Sequence, residues 1–240
     1  MYSYQTRIRY SECDATGHLR LESLLDHFQD CSTFQSEDAG LGVAHLREKN
    51  RVWVLSSWQI VVKRYPALCE TVTLGTLPYD FKGFIGYRNF VMQDQEGNNI
   101  ACANSMWSLL DTQTGKPVRP EAYMLEKYPL EPKVEMEYAS RRIVVPETVT
   151  LGEPVQIKPH HLDTNYHVNN GQFIKIAMDS VGSGLKVRQL RAEYKKQVLL
   201  GEILIPHMAL TEDGRHVIVL KNQEDTVCCI VELEEERERI

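Results

Sequence analysis

The sequence predicts an α+β protein made of two tandem copies of one unit, each a strand, a helix and a run of antiparallel strands. Three observations predict it. Asp14 and His18 recur as Asp163 and His167, both 149 positions later, and a helical stretch follows each pair at the same distance. Both helical stretches are apolar on one side, through Leu21, Leu24, Leu25 and Phe28 in the first and Phe173, Ile176, Ala177 and Val181 in the second. After each helix come β-rich runs broken by hairpin signals such as Gln95-Glu96-Gly97-Asn98 and Glu212-Asp213-Gly214.

In chain order, residues 4–10 alternate weakly and read as a strand. The stripe from Leu21 predicts a helix over residues 21–35, stopped by Gly40 and Gly42. Residues 52–65 form a long β-rich run around Trp53 and Trp58, and 71–77, 85–92 and a run through 106–110 are further strands. Residues 111–120 are rich in turn formers. Residues 129–146 hold three prolines and many charges without a periodic apolar face, and read as the connection between the halves. The organisation is therefore a unit over 1–130, a linker over 131–150 and a second unit over 151–240. In that second unit a strand around Val155-Gln156-Ile157 precedes a helix over 171–181. Strands over 187–196, 203–210, 216–220 and 226–233 follow, and a charged tail, 234–239, faces solvent. Lys63-Arg64 and Glu70 recur as Lys195-Lys196 and Glu202 at a spacing of 132, so the first half carries 17 extra residues, placed within 40–51.

Composition narrows the classes. A net charge of −6 argues against nucleic-acid binding by bulk charge. The six cysteines lack the paired spacing of a zinc site and read as reduced packing residues, as expected of a cytoplasmic protein. No apolar run reaches membrane-spanning length, and residues 1–10 are polar and unlike a signal peptide. Neither a metal nor a cofactor is expected.

The chemistry concentrates in His161-Leu162-Asp163-Thr164-Asn165-Tyr166-His167-Val168-Asn169-Asn170. A carboxylate, an amide and an imidazole occupy every second position, Asp163, Asn165 and His167, a spacing that points them the same way in an extended or looping segment. Asn169 and Asn170 stand where the helix begins, and asparagine is a favoured N-cap. A helix N-terminus favours developing negative charge. Two asparagines before a helix are also ordinary caps, and an Asp or His there is ordinarily a hydrogen-bonded structural residue. The spacing alone leaves both readings open.

The run Asp163-x-Asn165-x-His167-Val168-Asn169-Asn170 resembles the motif of the acyl-ACP thioesterases, in the branch that includes the plant plastid enzymes. The opening Arg9-Tyr10-Ser11-Glu12-Cys13-Asp14-Ala15-Thr16-Gly17-His18, together with Trp53 and Trp107-Ser108-Leu109-Leu110-Asp111, resembles that family's first half. The resemblance implies a tandem (double) hotdog fold, two antiparallel sheets each wrapped around a central helix, and hydrolysis of fatty acyl-ACP. Asp163, Asn165 and His167 would then activate water. The backbone at Val168, Asn169 and Asn170 would supply oxyanion donors. The first copy has Thr16 for Asn165 and Leu19-Arg20-Leu21 for Val168-Asn169-Asn170, which assigns catalysis to the second half.

Where plant members carry a Glu-Cys pair after the helix, this chain has Gln197 and Val198. A thiol nucleophile is thereby excluded. The acid is replaced by an amide that can only orient water, with Glu193 as a possible substitute from nearby. The resemblance also implies an acyl tunnel in the first unit, with Leu24, Phe28, Trp53, Trp58, Phe84 and Trp107 as candidate lining and core packing as their ordinary role. An acidic acyl carrier protein is the implied partner. Lys186, Arg188, Arg191, Lys195 and Lys196, joined by Arg141 and Arg142, are candidates for docking it or simply outward residues of an exposed strand. A homodimer is possible, and membrane partners are not expected. The absence of a plastid-type transit segment suggests a prokaryotic source. Other readings are an acyl-CoA thioesterase, a dehydratase of the same fold, or a non-catalytic acyl-binding protein.

Overall fold

The computed structural model describes residues 1–182 and 184–236. The chain forms two compact units, the first from Met1–Ser56 and Val62–Tyr138, the second from Ser57–Val61 and the chain from Ala139 on. Elements in order are β1 (Tyr2–Arg7), α1 (Leu21–Asp38), α2 (Val43–Glu48), β2 (Arg51–Val62), β3 (Thr71–Lys82), β4 (Ile85–Gln93), β5 (Asn99–Asp111), α3 (Ala122–Glu126), β6 (Thr150–Leu151), β7 (Val155–Gln156), α4 (Asn170–Val181), β8 (Val187–Tyr194), β9 (Ile203–Leu210), β10 (His216–Asn222) and β11 (Val227–Glu235).

In the first unit the strands run β1-β3-β4-β5-β2, with β1, β3, β4 and β5 paired antiparallel. The helix stripe read from Leu21 is the buried face of α1. Leu24, Leu25, Phe28 and Cys31 are sealed from solvent, and Phe28 meets Phe90 of β4 with ring centroids 5.4 Å apart. α1 ends at a left-handed glycine, Gly40 (φ 73°). The N–H of Gly40 donates to Glu37 and that of Leu41 to Ser36, while the Leu41 side chain is buried. This is the Schellman arrangement, in which glycine reverses the chain and an apolar residue anchors it. The first half's extra length goes partly into α1, 18 residues against 12 in α4, and partly into α2. Leu41, Leu109, Met124 and Tyr128 form a satellite cluster with α2 and α3, elements the sequence pattern did not reveal.

In the second unit Ser57–Val61 of β2 pairs with β8, β8 with β11, β11 with β10 and β10 with β9, all antiparallel, while β6 and β7 both pair with β9. Phe173, Ile174, Ile176 and Ala177 are the buried face of α4. On the opposite face of β8 lies the chain expected to be a linker. Its Ala139 N–H donates to Gln59 at 3.0 Å and its Ile143 N–H to Glu193 at 2.6 Å. Ile143 also packs on Val217, Val219 and Ile230. The division between the units falls at Tyr138/Ala139, inside that segment, and Tyr138 hydrogen-bonds Asn89 of β4 at 2.9 Å. The expected charged tail begins as strand, since β11 includes Glu234 and Glu235; residues 237–239 of it lie outside the described residues.

The repeat is realised bond for bond. Ile8 N–H donates to Glu70 O at 2.9 Å, and Ile157 N–H to Glu202 O at 2.8 Å. Leu19 N–H donates to Pro66 O, and Val168 N–H to Val198 O. Lys63 and Arg64 N–H share the carbonyl of Ile100 as Lys195 and Lys196 share that of Cys228. Each unit thus folds by the same local instructions.

Candidate active site

The Asp163–His167 loop is a hairpin closed by a backbone bridge between Leu162 and Val168. Asp163 N–H donates to His167 O at 2.8 Å and Tyr166 N–H to Asp163 O at 3.1 Å. Asp163 Oδ1 accepts from the N–H of Asn165 at 2.8 Å and of His167 at 3.1 Å. One carboxylate oxygen therefore holds the loop shut, which explains why a short acidic side chain stands there. The first copy repeats this closure: Asp14 Oδ1 accepts from Thr16 and His18 N–H at 2.8 and 3.1 Å. The loops differ in what they present. Thr16 Oγ1 donates to Asp14 Oδ1 at 2.7 Å and sits 3.0 Å from His18 Nδ1, a tie that Asn165 in the threonine's place does not repeat; both are exposed, while His18 is exposed and His167 half-buried. In the first loop burial opposes ionisation of Asp14, but the hydrogen bonds from Thr16 and His18 outweigh it and hold the carboxyl below its usual range.

A three-residue hairpin of this type ends in a left-handed residue, where glycine is at home. Gly17 fills that place in the first loop (φ 80°) and Tyr166 in the second (φ 62°), with its side chain 79% exposed. The pattern reading passed over Tyr166 because left-handed backbone is invisible to periodicity.

At the head of α4, Asn169 is the N-cap, its side chain accepting from Gly171 N–H at 2.7 Å, and Asn170 is the first helical residue. Two of the expected oxyanion donors are corrected here. Val168 N–H is donated to Val198 O and Asn169 N–H to His161 O, both at 2.9 Å, so the fold itself uses them.

The Val168–Val198 bond draws the 195–201 connection against the loop, and exposed Gln197 immediately precedes it. Glu193 cannot stand in for the missing acid. Along β8, Tyr194 faces α4, its ring 5.8 Å from Phe173 and its hydroxyl donating to Asn170 O, so Glu193 faces the other way. There it is buried, accepts from Ile143 N–H and pairs with Lys195. A pocket of about 380 Å³ opens on that same face, lined by Arg142, Val144 and Glu193 among others, away from the motif.

The candidate chain-lining residues separate. Leu24 and Phe28 are fully buried in the first unit, Trp53 packs on Phe81 beside the satellite cluster, and the Trp107 indole donates to Ser105 Oγ. Trp58 belongs to the second unit, directly opposite Ala192. Phe84 is corrected: it sits on the β3–β4 turn, 39% exposed, and lines no interior. The candidate docking cations are corrected as well. Lys186 pairs with Glu236, Arg188 with Glu234, Arg191 with Glu232, Lys195 with Glu193 and, at 3.8 Å, Lys196 with Glu224. Arg191 is buried and also donates to the carbonyls of Ser140 and Arg142. Lys186, Arg188 and Arg191 and their three glutamates are two sides of one ladder along β8 and β11. Among the described residues no group of three or more His, Cys, Asp or Glu side chains converges as a metal site, and no helix is long and apolar enough to cross a membrane.

Two sheet-and-helix units, with a hydrogen-bonded Asp-x-Asn-x-His loop at the head of the second helix, define an α+β protein carrying a candidate acid–base centre. Residues 1–128 match the family model described as the acyl-ACP thioesterase N-terminal domain, more than half of the chain, and the chain belongs to the acyl-ACP thioesterase family. That match ends before the second loop. The chain is 23% identical over 221 residues to the chloroplastic palmitoyl-acyl carrier protein thioesterase of Arabidopsis thaliana, covering 85% of this chain and 54% of that protein. It spans between half and two thirds of the length of the first curated relatives it matches. Its fold is that of an acyl-ACP thioesterase from Bacteroides thetaiotaomicron, with TM-score 0.88, 24% identity and coverage of 98% of this chain and 97% of that one. The 12:0-ACP thioesterase from Umbellularia californica is similar at TM-score 0.85 and 15% identity, over 98% and 96% of the two chains.

Proposed function

We propose that the chain hydrolyses fatty acyl-ACP thioesters, that it is a double hotdog, and that its working site is the second loop. The observation that supports this most is the difference between two loops of identical closure. Only the second replaces Thr16, whose hydroxyl holds the imidazole, by Asn165, an exposed amide. That second loop lies in a chain of a family named for this reaction.

In this reading His167 takes a proton from water, and the resulting hydroxide attacks the thioester carbonyl. The Asn165 amide donates to the oxyanion that forms. The carrier's thiolate leaves and takes the proton back from the imidazolium. Asp163 supports the cation and, through its two backbone bonds, holds Asn165 and His167 on alternate positions. Gln197 orients the water by hydrogen bonding. Val198 at the place of the plant thiol leaves no covalent acyl-enzyme to form there. Leu24, Phe28, Trp53 and Trp107 remain the candidates for contact with the acyl chain.

The test compares acyl-ACP with acyl-CoA of several chain lengths, and His167→Ala with His18→Ala. Loss of turnover by about 100-fold or more at His167 and a change of a few-fold at His18 are expected. Equal losses would mean the wrong loop, and hydrolysis of neither thioester would favour a non-catalytic acyl-binding protein.

A further inference from the structure

The two copies of the turn and helix differ in charge at two matched places, where the second lacks the carboxylates of the first. In the first unit Glu12 closes the turn by accepting from Arg9 N–H at 2.8 Å. Asp26, on α1, lies close enough to Glu12, Glu22 and Asp30 to feel their charge. The equivalent positions in the second unit, 149 residues on, are His161 for Glu12 and Lys175 for Asp26. His160 stands for Ser11 and Lys158 for Arg9.

Geometry draws these residues together. Lys158 N–H donates to His161 Nδ1 at 3.0 Å, and the His160 and His161 rings stand edge to face with centroids 4.2 Å apart. Burial, then the charges of His160, Lys175 and Lys158, lower the His161 pKa, which keeps neutral the imidazole whose Nδ1 accepts that N–H. Lys158, His160 and Lys175 are exposed. Among the described residues no carboxylate pairs with any of the four, in contrast to Lys186–Lys196, where each cation has its glutamate. The patch flanks the candidate loop directly: His161 O accepts Asn169 N–H, and Leu162 bridges Val168.

We propose that Lys158, His160, His161 and Lys175 form the surface on which the acidic face of the acyl carrier docks, bringing its thioester to the His167 loop. The inference rests on the acyl-ACP reading. It names a site other than the glutamate-paired ladder. The lysines are solvent-facing and stand one on a turn and one on a helix, which suits a protein surface better than a small anion enclosed on all sides. Complementary charge speeds encounter and fixes orientation. The same replacements discriminate between the two loops, because an acidic partner meets the carboxylates of Glu12 and Asp26 at the first and the ammonium of Lys175 at the second.

The test is titration of fluorescently labelled holo acyl carrier protein with the intact chain and with a Lys158→Glu/Lys175→Glu variant, at low and high salt. Melting temperature checks that the variant is folded. Reversal is expected to weaken carrier binding by about tenfold or more at low salt and to flatten its salt dependence. A Lys186→Glu/Lys196→Glu variant is expected to change it by less than about threefold, since those charges already have partners. Unchanged carrier binding after reversal at 158 and 175 would overturn the proposal. So would an equal weakening of acyl-CoA binding, which would assign the patch to a phosphate instead. Binding is read without hydrolysis, so a chain that binds the carrier through this patch but cleaves nothing refutes the catalytic reading and keeps the docking surface.

Discussion

Removing the carboxylate of Asp163 and of Asp14 separates loop closure from chemistry. Each accepts two backbone N–H groups, at 2.8 and 3.1 Å in both loops. Hydrogen bonds to a charged acceptor contribute about 1.5–3 kcal/mol each, and the lower end applies to loops partly open to water. Asp163→Ala and Asp14→Ala should therefore each cost roughly 3 kcal/mol. At about 2–4 °C per kcal/mol for a chain of this size, Tm falls by roughly 6–12 °C. Asp163→Asn keeps the acceptor but not the charge and should cost about 1 kcal/mol. Turnover should behave differently. Asp163→Asn is expected to lower it by on the order of 100-fold although the loop stays closed, because the support for the His167 cation is gone. Asp14→Ala should leave turnover, measured below the variant's melting range, within a few-fold. The assay pairs thermal melts with acyl-ACP hydrolysis on the same preparations. Wild-type turnover in Asp163→Asn would refute a catalytic charge and leave the residue as a loop tie. Equal turnover losses in the two alanine variants would refute the asymmetry between the loops.

Other outcomes follow from particular residues. Gln197→Glu restores the acid of the plant family at an exposed position beside the loop, and hydrolysis should be kept or raised; a large loss would show that the amide itself is needed. Burial, with Asp30, Glu22 and Glu12 nearby, pushes the Asp26 carboxyl from 3.8 up to about 6. The folded chain thus holds that proton to higher pH than the unfolded chain. Stability contributed by the neutral form is present below about 4 and lost as pH rises through 6. Asp26→Asn should accordingly stabilise by on the order of 1–2 kcal/mol at pH 7, after discounting for partial exposure, and by almost nothing near pH 3.5, as read by urea denaturation. Tyr166→Asn places a residue tolerant of left-handed backbone where tyrosine is strained, and should raise stability by about 1 kcal/mol by the same method.

What the sequence made legible was local. The Asp-x-x-x-His closure at both ends of a 149-residue interval reports a hairpin that only a short acceptor can tie, and the one-sided stripes from Leu21 and Phe173 report helices that must cover a sheet. What stayed hidden depends on register between distant strands. Trp58 falls in the second unit because it stands opposite Ala192, which nothing near residue 58 announces. Lys186 to Arg191 looked like a free basic surface, and 234–236 like the start of a solvated tail, because the ion pairs along β8 and β11 join residues about forty to fifty apart. Helix α3 is too short for periodicity to show, and the segment 139–145 looked like a linker because its anchors are backbone groups. Val168 and Asn169 were misjudged as donors for a similar reason: which carbonyl takes an N–H is a property of the closed fold.

The division of β2 governs how this chain can be taken apart. Ser57–Val61 is the neighbour of β8, yet some eighty residues separate it from the rest of its unit. A fragment cut at Ala139 would keep the candidate loop and α4 but bare β8 from Gln189 to Glu193, an open edge ready to recruit strands from other molecules. Synthesis meets the same constraint in time. The strand emerges early and must remain available until residues 187–194 arrive to claim it, so the second unit matures late and through a contact of long sequence separation. A soluble minimal catalytic fragment therefore requires residues 57–61 to be supplied again, either grafted ahead of 139 or added as a peptide.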